Sequence, residues 1–257
     1  MKLPLRTLLL AVCCGLAAAC TQRQERLKLM SYNIRNGIGI DNIQDIGRIA
    51  RVILREAPDL VALQELDSAT LRVDGRYIPG ELGRMTGMHA TFGRAIGFAG
   101  GSYGIGLLSR TEPLAVRSIP LPGREEARVL LMAEFPDYTV CITHLSLTPE
   151  DRLASLPIIR EATDTCRKPV LLAGDFNTGN AAAVLAGLGG GFRILSDTTR
   201  MTFPSDNPAV RIDYILGRGL PTSATVAESA VDHTATASDH CPLWVTLVWK
   251  RGKQPGK

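Results

Sequence analysis

Val170-Leu171-Leu172-Ala173-Gly174-Asp175-Phe176-Asn177 is a continuous apolar run that ends abruptly in a Gly-Asp-Phe-Asn turn. Four apolar residues in a row, closed by turn residues, fit a buried strand better than a helix. The same form recurs elsewhere. Leu60-Val61-Ala62-Leu63 leads into Gln64-Glu65, and the alternating stretch from Leu27 to Tyr32 leads into Asn33. Asp239 and His240 stand just before a last strand, Pro242 to Trp249. Acids and amides therefore collect at strand ends, where loops on a rigid base expose side chains to a ligand.

The rest of the chain supplies a frame for these strand ends. Ile43, Ile46, Ile49, Ala50, Ile53 and Leu54 repeat at helical spacing, so residues 43–56 read as an amphipathic helix closed by Pro58. Residues 67–103 read as loop-rich, with one short helix near Glu81 to Met85. Gly104 to Ser109 and Ala115 to Leu121 read as strands, and Val129 to Phe135 with Tyr138 to Leu145 as a hairpin turning at Pro136-Asp137. Pro149 to Thr165 reads as a helix with Thr148 as N-cap, and Ala181 to Leu188 as a short helix stopped by three glycines. Ile212 to Leu216 and Thr222 to Glu228 are further strands. With no internal repeat or long linker, one α/β domain containing two sheets is expected over residues 27–250.

The ends differ in kind. Lys2 and Arg6 precede an apolar stretch, Leu8 to Ala19, that finishes in small residues. This is the layout of a secretory signal. Leu16-Ala17-Ala18-Ala19-Cys20 resembles a bacterial lipobox, although Leu is more usual where Ala17 stands. The expectation is a signal over residues 1–19, a lipid on Cys20, a polar tether over 20–26 and a basic tail over 251–257. The protein would then be exported, anchored in the bacterial cell envelope and monomeric. No apolar run approaches the roughly 18 to 20 residues of a membrane-crossing helix. The 257-residue chain carries a net charge of +4, and loss of residues 1–19 takes away Lys2 and Arg6 and no acid, leaving +2. The basic residues are scattered, which argues against a dedicated nucleic-acid binder. Only Cys141, Cys166 and Cys241 remain beyond Cys20, without a C-x-x-C pair, so neither a disulfide framework nor a thiolate zinc site is indicated.

Taken singly, each strand-end residue is ordinary. An Asn after a strand is commonly a turn residue, and Gly-Asp-Phe-Asn can form a turn that bonds its own backbone. Asp213 is more demanding, because it lies between apolar neighbours in Arg211-Ile212-Asp213-Tyr214-Ile215, where an unpaired carboxylate would be costly. A histidine partner would account for it. Carboxylates and amides without thiolates suit a hard, oxygen-liking cation such as magnesium or manganese. Such an ion can polarise a phosphoryl oxygen and help activate water.

The order of the segments is more specific than any one of them. Ser31-Tyr32-Asn33-Ile34, Leu63-Gln64-Glu65-Leu66, Gly104 to Arg110, Thr143-His144-Leu145, Gly174-Asp175-Phe176-Asn177, Arg211 to Ile215 and Ser238-Asp239-His240 run in one sequence along nearly the whole mature chain. This order resembles that of the endonuclease/exonuclease/phosphatase superfamily, with its DNase I-like fold. The resemblance implies a four-layer α/β/β/α sandwich, two mixed sheets face to face with helices outside. It implies Glu65 as principal metal ligand with Asn33 and Asp239 close to the ion. It also implies Asp175 on the attacking water, Asn177 and His240 on the phosphate, and Asp213 fixing the His240 ring. His144 is similar to a second histidine of the DNase I and sphingomyelinase branches, which contacts the phosphate or protonates the leaving oxygen.

The chain looks most like small bacterial metal-dependent hydrolases of the superfamily. It departs from them in having Ser146 after Thr-His-Leu, where Asp is common, and in lacking a Gln near Ser155. The leading expectation is a phosphodiesterase or phosphomonoesterase acting on a small or lipid-borne phosphate ester. An exported nuclease is the alternative, since Ser238-Asp239-His240-Cys241-Pro242 resembles abasic-site endonucleases. A non-catalytic binding module on the same fold is a third reading, disfavoured because no acid or histidine of the set is missing.

Overall fold

A computed structural model describes residues 24–250. The expected signal, Cys20 and the basic tail lie outside the described residues. Strand β1 (Gln24–Asn33) is followed by α1 (Ile46–Glu56), β2 (Leu60–Ser68), α2 (Ile78–Thr86), β3 (His89–Phe98) and β4 (Gly101–Ser109). Next come β5 (Ala115–Leu121), β6 (Arg128–Glu134), β7 (Thr139–His144), α3 (Pro149–Asp164) and β8 (Val170–Asp175). The chain closes with α4 (Ala181–Leu188), β9 (Arg193–Ile194), β10 (Asp213–Arg218), β11 (Thr225–Val231) and β12 (Leu243–Lys250).

Two six-stranded sheets result, ordered β11-β12-β1-β2-β4-β3 and β5-β6-β7-β8-β10-β9. Each has one parallel pair at its centre, β1 with β2 and β7 with β8, joined through α1 and α3. The other pairings are antiparallel, so both sheets are mixed. Period-2 alternation sends Leu29, Ala62, Ile142, Leu171 and Ile215 into the apolar layer between the sheets. The opposite faces pack beneath the helices, Met30, Tyr32, Val61 and Leu63 against Ile46, Ile49 and Ile53 of α1, and Leu172 and Tyr214 against Leu156 and Ile159 of α3. This is the expected α/β/β/α sandwich. Cys141 and Cys241 are both buried in it as free thiols.

The central parallel pairs put four strand ends at one rim. Asn33 ends β1, Glu65 lies on β2, His144 ends β7 and Asp175 ends β8. Local strain aims one of them. Glu65 adopts a left-handed conformation, φ 57°, in a bulge where β2 slips against β4 between Leu63 and Leu66. A bulge re-aims a side chain that strict alternation would have sent under α1. Gly174 is required for a different reason: a Cβ there would stand 2.0 Å from the Thr143 carbonyl oxygen on the neighbouring strand.

Three expectations need correction. Residues 24–26 are not tether but the start of β1, with Gln24 paired to Lys250 and Arg26 to Val248. Their polar side chains mark the sheet's end, while the backbone ladder holds them. Residues 67–103 are not mainly loop: β3 spans ten of them as the sheet's edge strand. Its half-exposed faces and glycines erase the alternation, and Gly93 packs closely, since a Cβ there would lie 3.1 Å from Leu131 of the facing sheet. Finally, Thr148 precedes α3 but makes no side-chain cap bond to it. Its hydroxyl goes instead to Glu125 Oε2 at 3.2 Å.

Candidate active site

Asn33 links the two sheets. Its side-chain nitrogen donates to Glu65 Oε1 at 2.9 Å and to Asp175 Oδ2 at 3.1 Å, and lies 3.5 Å from His240 Nε2. Asn33 is itself held by the Arg35 amide, which donates to Oδ1, and by the Ser238 hydroxyl, which donates to its carbonyl. Three residues far apart in sequence thus meet on one fully buried amide.

His240 meets Asp213 as the sequence spacing left open: Nδ1 lies 3.0 Å from Asp213 Oδ2. The same oxygen accepts the Thr202 hydroxyl at 2.6 Å. Nε2 then faces Asp175 Oδ2 at 3.7 Å, and the Phe203 ring packs on the imidazole with centroids 4.8 Å apart. Asp175 Oδ2 also has His144 Nε2 at 3.5 Å, while Oδ1 accepts the Asn177 backbone amide at 2.8 Å. Asn177 is left-handed, φ 50°, and its side-chain nitrogen donates to the Leu145 carbonyl at 2.8 Å. Asp239 lies at the outer edge, 3.5 Å from Arg35 Nε. All eight residues singled out in the sequence therefore gather at one rim.

Electrostatics separates the two histidines. Burial holds His144 down at about 4, so it is neutral near pH 7. Burial works against charge on His240 as well, but Asp213, Asp175 and Asp239 together lift it to about 10. Burial also raises Glu65, helped by the like charges of Asp239 and Asp175 and opposed by the Asn33 bond. Asp175 is raised by burial and then by Asp213. Such divergence within one cluster is typical of sites that move protons or bind ions.

Two groups of atoms could receive a cation. The nearest trio of ligand atoms belongs to Asp175, Asp213 and His240, all within 4.8 Å of one another. Within that trio His240 and Thr202 both bond Asp213 Oδ2, which commits that oxygen, while Asp213 Oδ1 is buried without a hydrogen-bond partner among the described residues. Glu65, Asn33 and Asp239 fit better. Among the described residues Glu65 has only the Asn33 amide as hydrogen-bond partner, and Asp239 and Asp175 add negative charge beside it against the positive His240, a carboxylate setting that suits a hard divalent ion.

Thr202, Phe203 and Ser238 were not among the expected residues. They support the site across the chain, and Met201-Thr202-Phe203-Pro204 has no periodicity to mark it. Ser238, within the Ser238-Asp239-His240 motif, ties Asn33 into place.

Fold and site together define the DNase I-like class of sandwiches. The structure superposes on an endonuclease/exonuclease/phosphatase from Beutenbergia cavernae DSM 12333 with TM-score 0.68 and 23% identity, covering 88% of this chain and 72% of that one. It is similar to a mannosyl-6-phosphatase of Bacteroides thetaiotaomicron VPI-5482, with TM-score 0.68, 19% identity and coverage of 86% and 99%. It is also similar to D. rerio TDP2 complexed with a single-strand DNA product, with TM-score 0.65, 22% identity and coverage of 86% and 98%. No curated protein matches in sequence. The chain belongs to the Endonuclease/Exonuclease/phosphatase family, whose pattern matches residues 30–240.

Proposed function

We propose that this protein is an exported, divalent-metal-dependent phosphoester hydrolase acting on small phosphate esters. The observation that carries the reading is the Asn33 amide, which joins the Glu65 carboxylate to Asp175 beside a histidine held by Asp213. Magnesium or manganese, bound by Glu65 with Asn33 and Asp239, would supply Lewis-acid polarisation of the phosphoryl oxygen.

The chain's own groups divide the remaining work. Asp175, its basicity raised by burial, is placed to accept the proton of an attacking water. His240 is an imidazolium at neutral pH and stabilises charge building on the phosphate. Asp213 and Thr202 fix its ring so that Nε2 points to the reacting centre. Asn177 keeps one side-chain N–H on Leu145, and an amide has a second to offer a phosphate oxygen. His144, held neutral, suits a hydrogen bond to the phosphate better than proton delivery to the leaving oxygen.

The small-ester preference rests on charge. A mature chain at +2 gains little from counterion release on duplex DNA. The nuclease reading draws on Ser238-Asp239-His240-Cys241-Pro242, which resembles abasic-site endonucleases. The test is a metal-supplemented screen of protein beginning at Cys20, at one salt concentration. Sugar, inositol and lipid phosphates are compared with plasmid and abasic-site duplexes. Higher kcat/KM on a small ester is expected. Nicking of either DNA with far higher efficiency would reverse the choice.

A further inference from the structure

Four arginines lie between Asp67 and Tyr103 with the capacity to grip an anion: Arg72, Arg76, Arg84 and Arg94. Arg76 is committed to the Val73 carbonyl and to Glu81. Arg72 is the one built into the edge of the site. Its Nε donates to Asp67 Oδ2 at 2.6 Å and its Nη2 to Asn36 Oδ1 at 2.7 Å. Asp67 is fully buried and stands two residues past Glu65; Asn36 is 6% exposed and stands three residues past Asn33. Asn36 is held left-handed, φ 52°, so strained backbone presents its oxygen.

Aromatic rings flank the same guanidinium. Its central carbon lies 4.6 Å from the Phe98 ring centroid and 5.2 Å from that of Tyr103. Tyr103 is the cross-strand partner of Asp67, two residues along β2 from Glu65, and burial followed by the Glu65 carboxylate raises its phenol. The Leu71 amide donates to the Ala99 carbonyl at 2.8 Å, tying the arginine loop to the β3–β4 turn. Glu126, also within electrostatic reach of Arg72, pairs with Arg128 at 3.1 Å. Arg72 remains 37% exposed in its side chain and Phe98 is 40% exposed. Among the described residues Nη1 makes no hydrogen bond. An arginine oriented by a buried acid and a buried amide, with donors left over and a ring beside it, is prepared for an anion attached to an apolar or cyclic body.

We propose that Arg72 and Phe98 form a second subsite, which takes a further anionic group of the substrate while Phe98 lies against the body that carries it. The preferred substrate is then a phosphate ester with a second phosphate or a carboxylate. This rests on the phosphoesterase reading and names its substrate class.

The test uses matched compounds: a sugar monophosphate with the corresponding bisphosphate, and glycerol phosphate with phosphoglycerate. Wild type should favour the doubly anionic member of a pair by about tenfold in kcat/KM, the scale of one charge-assisted hydrogen bond. The phosphate pair and the carboxylate pair report separately on which anion is taken. Arg72→Met should raise KM for the doubly anionic member by about tenfold more than for the singly anionic member, so that the discrimination between them is lost. Arg72→Lys should restore part of the difference. Phe98→Ser, at an exposed ring, should weaken the doubly anionic member about threefold and keeps the test open if Arg72→Met fails to fold. Calorimetric binding of each pair reads the subsite without turnover, so an inactive enzyme defeats the phosphoesterase reading and leaves the subsite decided. No preference in wild type, or an equal loss on both members of a pair in folded Arg72→Met, overturns the subsite.

Discussion

Asp213 Oδ2 accepts from both His240 Nδ1 and the Thr202 hydroxyl, so this single oxygen sets the direction of the imidazole. If the ring acts through that bond, its loss and the loss of the ring should not multiply. Asp213→Asn should lower kcat by about tenfold to a hundredfold, with melting little changed, and His240→Ala should lower it at least as far. The double variant should match His240→Ala within about threefold; independent, multiplying losses would show that the two do not form a unit. The sequence exposed this pair unusually well, because a carboxylate between Ile212 and Tyr214 asks for a partner. It did not expose Thr202, whose contact crosses from a segment without pattern. Glu65 shows the other side of legibility. Its place after an apolar strand was readable, but the bulge that turns it into the rim depends on β4, which sits 40 residues further along.

At the scale of elements, the buried strands β2 and β8 were legible from continuous apolar runs, β6 and β7 as a hairpin, and α4 from its stop signals. The edge strand β3 was not, because its faces are half exposed and its pattern is set by neighbours. The stretch from β7 to α3 carries another feature that local sequence conceals. Glu125 accepts hydrogen bonds from the Ser146 hydroxyl at 2.8 Å, the Leu147 amide at 2.7 Å and the Thr148 hydroxyl at 3.2 Å. Ser146, which replaces the Asp usual in the resembling hydrolases, is thus fully buried with a carboxylate brought to it from elsewhere. Burial opposes charge on Glu125, yet these bonds hold it down at about 2. A carboxyl depressed in the folded state stabilises the fold above its unfolded pKa near 4.5 and loses that contribution as pH falls through about 2. Glu125→Gln should therefore be less stable than wild type at pH 7, and the gap should shrink between about pH 4.5 and 2. Denaturant unfolding across that range measures it. A gap constant with pH would place the effect in packing instead.

At the scale of the molecule, strand direction constrains the working position of the site. Gln24 begins β1 and Asn33 ends it, which separates chain entry from the site by about 30 Å at the usual rise per residue. Lys250 pairs with Gln24, so the described chain also leaves at the far end. If Cys20 carries a lipid, the four residues to Gln24 reach at most about 14 Å. The rim would then face away from the anchoring membrane. An enzyme anchored in this way would work on esters of the aqueous compartment in preference to head groups of the membrane that holds it. Lipid-modified protein in vesicles should hydrolyse soluble esters as fast as unanchored protein does. It should be slower on phospholipid of its own vesicle than unanchored protein on the same lipid in micelles. Equal rates on the lipid would contradict the orientation, and full membrane retention of Cys20→Ser would remove the anchor on which it depends.

The central claim is that an oxygen-ligated cation centred on Glu65 drives phosphoester hydrolysis, and one titration addresses it. Phosphate release is followed for wild type and Glu65→Gln as magnesium or manganese is added back after chelation. The substitution keeps the side chain's shape and its contact with Asn33 while removing the charge that attracts the ion. Wild type should be silent in chelator and recover with micromolar to millimolar metal. Glu65→Gln should fold normally and need at least about tenfold more metal, with maximal turnover lowered by about a hundredfold or more. Full activity of either protein in chelator, or an unchanged metal requirement in Glu65→Gln, would contradict the account.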